Sequence, residues 1–213
     1  MVLTARPAPS AAGAFGGRRV RRGERQVRDL GPDEVVEVLR CVHDLAEGQR
    51  SALEARLKHM GRLGFPKAAP VGRGRRNVYG LEELMKVAVA FQLVEVGTAS
   101  AWAVEIVAAE WALIARALAG ARGAGSSLVV LSPRAAPALK GARRGAARAW
   151  GSARLIGRRA PVASAKAGDA AMVVLDPLAV VSSVRAETLK LEGIGSDEFD
   201  GALAAMAELV RVT

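Results

Sequence analysis

Ser51 to Tyr79 reads SALEARLKHMGRLGFPKAAPVGRGRRNVY, and this run predicts a helix, a stop, a short loop and a basic hairpin that ends in the only tyrosine. Leu53, Leu57, Met60 and Gly64 recur at spacings of four, three and four, which puts them on one helical face. Arg50, Glu54, Lys58 and Arg62 form a mainly basic stripe turned away from that face. Gly61 and Gly64 weaken the last turn, and Pro66 forbids its continuation. In Arg73-Gly74-Arg75-Arg76-Asn77-Val78-Tyr79 the Gly and Asn suit a tight turn, and the Val and Tyr suit a strand. A helix with a basic outer face followed by a basic hairpin is the arrangement of a winged DNA reader. The helix enters the major groove while the hairpin grips neighbouring phosphates.

The phrase Leu57 to Phe65 (LKHMGRLGF), with Arg75, Arg76 and Tyr79 after it, resembles the recognition helix and wing of MerR-type winged helix-turn-helix regulators. The resemblance extends from about residue 33 to residue 107. It implies two further helices over Leu81–Val107, duplex DNA as the ligand, and a homodimer made by the helix after the wing. No cysteine pattern for metal sensing follows, so the resemblance implies no inducer.

The 213 residues suffice for one domain or two small ones. Half are hydrophobic, but only eight are aromatic, and the apolar total leans on alanine. The net charge of +10 is unevenly spread. Residues 1–80 hold 16 Lys/Arg against 8 Asp/Glu, and residues 121–166 hold 10 against none. Residues 167–213 reverse the balance, with 3 against 8. Two basic blocks thus flank a near-neutral middle, and an acidic tail follows. Polyanion binding by counterion release is the natural reading. Abundant arginine also fits a GC-rich genome, and ribosomal RNA would satisfy the same charge.

Cys41 stands alone, so no disulfide forms within the chain, and its neighbours Val38, Leu39, Val42 and Leu45 mark it as a small buried apolar residue. With His43 and His59 as the only histidines, no protein zinc site is expected, and no cofactor either. The start lacks an apolar signal core, and Glu105, Glu110 and Arg116 interrupt the most apolar run, Ala99–Ala119. The expectation is a cytoplasmic, nucleoid-associated protein with no membrane partner.

Along the chain, residues 1–30 read as a disordered basic arm around Arg18-Arg19-Val20-Arg21-Arg22, Arg25 and Arg28. Such an arm suits a minor groove or serves as a solubilising tail. Residues 31–120 read as the winged domain with a C-terminal helix. Asp33 to Glu47 is its first helix, with Val35, Val38, Val42 and Leu45 as the stripe, and Ala46 to Gln49 is the turn. Ser51 with Glu54 has capping-box spacing. An ordinary helical hairpin would use the same turn. Leu81–Val96 is apolar on most sides and so buried. In the helix of residues 100–119, Trp102, Ile106, Ala109 and Leu113 share one face, and Val104, Val107, Trp111, Ile114 and Leu118 cover much of the rest.

Residues 121–213 read as a small α/β module for regulation or assembly. Its sign is a short repeat: SLVVLSP from Ser127 resembles AMVVLDP from Ala171. Each is an apolar run, a capping residue and a proline, so each predicts a strand leading into a helix, with the two strands paired. Residues 140–166 read as a mobile basic loop containing Trp150. Ser196 caps a last helix with Phe199, Leu203, Met206 and Val210 on one face.

No phosphate loop, nucleophile elbow, Cys-His pair or histidine-carboxylate cluster appears, so no catalytic residue is assigned and an enzyme is not expected. The fold expected is mainly α: a winged helix-turn-helix domain followed by a small α/β module. Its expected DNA-binding residues are Arg50, Arg56, Lys58, His59 and Arg62 on the helix, with Arg73, Arg75, Arg76 and Tyr79 on the wing. Expected partners are duplex DNA, a second copy of the chain and, in an adaptor role, RNA polymerase. The rivals are an RNA- or ribosome-associated basic protein and an adaptor in a phage assembly.

Overall fold

The computed structural model describes residues 27–66, 78–121, 127–133, 150–157 and 173–211. It is mainly helical, with a small three-stranded antiparallel sheet. The chain enters through residues 27–30, where Val27 and Leu30 are buried, so this end of the expected disordered arm belongs to the core. Residues 1–26 lie outside the described residues.

Helix α1 (Pro32–Val42) begins with proline in its first turn, and the Glu34 carboxylate accepts the Gly31 N–H at 2.8 Å. It stops earlier than the predicted Glu47, because Asp44 takes a left-handed φ of 48°. Arg40 then holds the turn. It donates to the Leu45 carbonyl at 3.2 Å and pairs with Glu37 at 2.6 Å and Glu47 at 3.3 Å. A short 3-10 turn, Glu47–Gln49, leads into α2 (Arg50–Arg62). The expected Ser51–Glu54 box is absent. Gln49 caps the Ala46 N–H instead, at 3.0 Å, and Glu54 pairs with Arg50 at 3.1 Å.

Leu53, Leu57 and Met60 are buried as the spacing predicts. Gly64 closes α2 at φ 76°, a conformation that costs glycine nothing, and Phe65 N–H reaches back to the Met60 carbonyl at 3.1 Å. Beyond the undescribed residues 67–77, Tyr79 forms an antiparallel bridge with Leu30.

Helix α3 (Leu81–Glu95) buries nine of its residues, as a helix apolar on most sides should. Helix α4 (Ser100–Ala119) lies against it. The Trp111 indole donates to Glu82 at 2.9 Å, and Lys86 sits 5.1 Å above the same ring while pairing with Glu82 at 2.6 Å. The face predicted for α4 is only half right. Ile106 is buried, but Ala109 is exposed and Trp102 is half-buried, while the other predicted apolar residues, Val104, Val107, Trp111, Ile114 and Leu118, all turn inward.

The predicted strand pairing appears in β1 (Ser127–Pro133) and β3 (Val173–Leu175), with Val129 opposite Leu175. Two details correct the sequence reading. Residues 150–157, placed in a mobile loop, form strand β2 (Trp150–Gly157) on the other edge of β1, where Val129 faces Leu155. Backbone pairing needs only a free edge and an extended run, and Ala153-Arg154-Leu155-Ile156 supplies one. The second correction is Pro133, which stays in β1 and does not open a helix; the rest of that predicted helix lies outside the described residues.

The second repeat behaves as predicted. Asp176 accepts the N–H groups of Leu178 and Ala179 at 3.0 and 3.4 Å, and Pro177 opens α5 (Pro177–Thr188). Helix α6 (Ser196–Arg211) buries Phe199, Leu203 and Met206. The core continues across residue 120: α5 packs on α1, and α6 packs on α4 and α3. Among the described residues no helix is long and apolar enough to cross a membrane.

Candidate nucleic-acid interface

Burial of Leu53, Leu57 and Met60 fixes which side of α2 meets solvent. Ser51, Ala52, Ala55, Arg56, Lys58, His59 and Arg62 are all exposed. Arg56, Lys58, His59 and Arg62 make no ion pair or side-chain hydrogen bond with other described residues. Arg56, Lys58 and Arg62 put positive charge on the C-terminal half of the helix, where the dipole also favours it, with the His59 ring beside them. The N-terminal half presents the small side chains of Ser51, Ala52 and Ala55 beside the exposed Glu54, which pairs with Arg50.

Arg50 behaves differently. It is half-buried, donates to Glu54 at 3.1 Å and lies 3.5 Å from Glu37 on α1. With Arg40 it encloses the Glu37 carboxylate. The Arg40 hydrogen bond, more than any other influence, holds that carboxyl below its usual range. This ion network sets α2 against α1, so Arg50 supports the basic face from behind.

Arg73, Arg75 and Arg76 lie outside the described residues. Tyr79 is described and is only 7% exposed. Its backbone bridges to Leu30. A groove of about 820 Å³ separates the start of α1 from α2 and Tyr79, lined by Asp33, Val36, Glu54, Leu57, Lys58 and Arg62 among others. Its mixed charge is that of a junction between elements. The cationic ridge stands on its α2 side.

Arg28, read from the sequence as part of the disordered basic arm, has fixed partners in the fold. Its guanidinium forks onto Glu34 at 3.1 and 2.5 Å, and its Nε donates to the Glu192 carbonyl at 3.0 Å. The signal was present but weak: Arg28 and Glu34 flank the Gly31-Pro32 helix start. The histidines divide as well. The His43 side chain is buried, with Nδ1 2.8 Å from Glu95, whereas His59 is exposed on the ridge. Cys41 is half-buried rather than buried, and desolvation, more than its neighbouring charges, raises its thiol pKa. Among the described residues no His, Cys, Asp and Glu group could hold a metal ion.

Comparison with protein-family models, curated proteins and solved structures returns no match to this chain.

Proposed function

We propose that the chain is a sequence-reading duplex-DNA-binding regulator, with α2 in the major groove and the 67–77 segment as a basic wing on the phosphates. The observation that carries this reading is the exposed, unneutralised set Arg56, Lys58, His59 and Arg62 on one packed helix. The Arg73–Arg76 run returns to the fold three residues later, at the Leu30–Tyr79 bridge. Arg50 and Tyr79 are left out of the contact set, since one supports α2 and the other is core.

A homodimer is part of the same proposal. The outer strip of α4 exposes Ala101, Glu105, Ala108, Ala112 and Arg116. Glu105 and Arg116 lie about 16 Å apart along the helix at 1.5 Å per residue, too far to pair with each other. Neither has a partner among the described residues. An antiparallel second copy centred near Glu110 sets each against its opposite.

The test is binding of the full chain to duplex DNA and to structured RNA over a range of salt. Preference for particular duplexes supports the reading. Preference for single-stranded or A-form RNA transfers the role to the basic block at 121–166.

A further inference from the structure

The core fixes how each exposed side chain of α2 is aimed. Leu53, Leu57 and Met60 are buried. Ser51, Ala55 and Lys58 each stand two residues earlier, which at about 100° per residue is almost opposite the core. Arg62 continues their line at a spacing of four, and all four are exposed. Arg56 and His59 stand one residue before Leu57 and Met60, and so occupy one flank. The other flank, toward α1, carries Glu54 and the half-buried Arg50, which pair with each other. The groove beside α1 marks the same division. Ser51, Glu54, Ala55, Lys58 and Arg62 line it opposite Asp33, whereas Arg56 and His59 lie outside it.

A helix with its side chains is about 10–12 Å across, and the major groove is about 12 Å wide. A seated helix therefore meets base edges with its outermost line and the phosphate walls with its flanks. On α2 the flank of Arg56 and His59 suits a phosphate, while Glu54 and Asp33 make the opposite flank unfavourable for one. We propose that Ala55 and Arg62 are the specificity-determining residues of α2 and that Arg56 grips a phosphate. This inference rests on the reading of α2 as the major-groove helix. The Arg62 guanidinium suits guanine, donating to O6 and N7, and the Ala55 methyl suits the thymine methyl. From Ala55 to Arg62 the helix rises about 10.5 Å at 1.5 Å per residue, or about three base pairs at 3.4 Å each. The preferred duplex thus carries a thymine and a guanine about three base pairs apart.

The test is selection by the full chain from a randomised duplex library, with sequencing of the bound fraction. Wild type is compared with Arg62→Ala, Ala55→Asn and Arg56→Ala, all at exposed positions, and thermal unfolding checks that each folds. Arg62→Ala is expected to lose a guanine preference at one position, on the order of tenfold, and to keep the rest. Ala55→Asn exchanges thymine for adenine about three base pairs away, since a side-chain amide pairs with adenine N6 and N7. Arg56→Ala keeps every preference, weakens all duplexes alike and lowers the salt slope by about 0.9.

Retention of the guanine preference by Arg62→Ala overturns the assignment, as do wild-type preferences in Ala55→Asn or altered ones in Arg56→Ala. In each of these cases wild type still selects duplexes, and the DNA reading stands. If wild type enriches no sequence, the DNA reading fails and takes this inference with it.

Discussion

Leu30 and Tyr79 exchange both backbone hydrogen bonds: the Leu30 N–H reaches the Tyr79 carbonyl at 2.8 Å, and the Tyr79 N–H reaches the Leu30 carbonyl at 3.0 Å. The pairing joins the residue two before α1 to the residue two before α3. Between the two paired residues the sequence runs through α1, α2 and the Arg73, Arg75 and Arg76 segment. The same pairing draws the tyrosine ring into the core, and that changes what its removal does.

Tyr79→Ala is expected to destabilise the fold by about 3 kcal/mol or more, the usual cost of deleting a buried aromatic side chain. Thermal unfolding checks this. A variant with wild-type stability but weakened duplex binding would return Tyr79 to the contact surface.

The ion pair at Glu34 sets a pH dependence. The Arg28 hydrogen bond first, then the Gly31 N–H, lowers the Glu34 pKa below its ordinary value. A carboxyl with a folded pKa below its unfolded one contributes stability above the unfolded pKa and loses it as pH falls through the folded pKa. Glu34→Gln is therefore less stable than wild type at neutral pH, and the two unfolding curves converge under acid. Parallel curves down to strong acid would contradict the assignment.

Asp176 caps α5 with two backbone bonds, and Asp176→Ala is expected to cost about 1 kcal/mol. Denaturant unfolding reads this directly. Because α5 packs on α1, the loss should appear in a single cooperative transition rather than in a separate melting of the C-terminal part.

The dimer proposal has a charge-swap test. Glu105→Arg should weaken self-association measured by sedimentation, and the double variant with Arg116→Glu should restore it. Failure of the double variant to recover would remove α4 as the two-fold surface.

Much of the helical layout was legible, because burial repeats at 3.6 residues. Leu53, Leu57 and Met60 announced α2, and the continuous apolar surface of residues 81–95 announced a buried helix. Asp176-Pro177 marked its own helix start. Signals that depend on distant partners were not legible. β2 carries an arginine and four small residues, and it becomes a strand because β1 offers an edge. Tyr79 looked like a wing residue until its bridge to Leu30 placed it inside. On α2, sequence period alone could not separate Arg50 from Lys58, since they lie on one stripe. The carboxylate of Glu37, contributed by another helix, separates them.

The most direct test of the central claim is salt-titrated binding of the full chain to a genomic duplex pool and to structured RNA. It is run beside a variant with Lys58, Arg62, Arg73, Arg75 and Arg76 all changed to Ala. The account predicts enrichment of particular duplexes by wild type, lost in the variant together with several units of salt slope at about 0.9 per phosphate contact. Equal binding to every duplex and RNA, with a slope that the variant leaves unchanged, would contradict it.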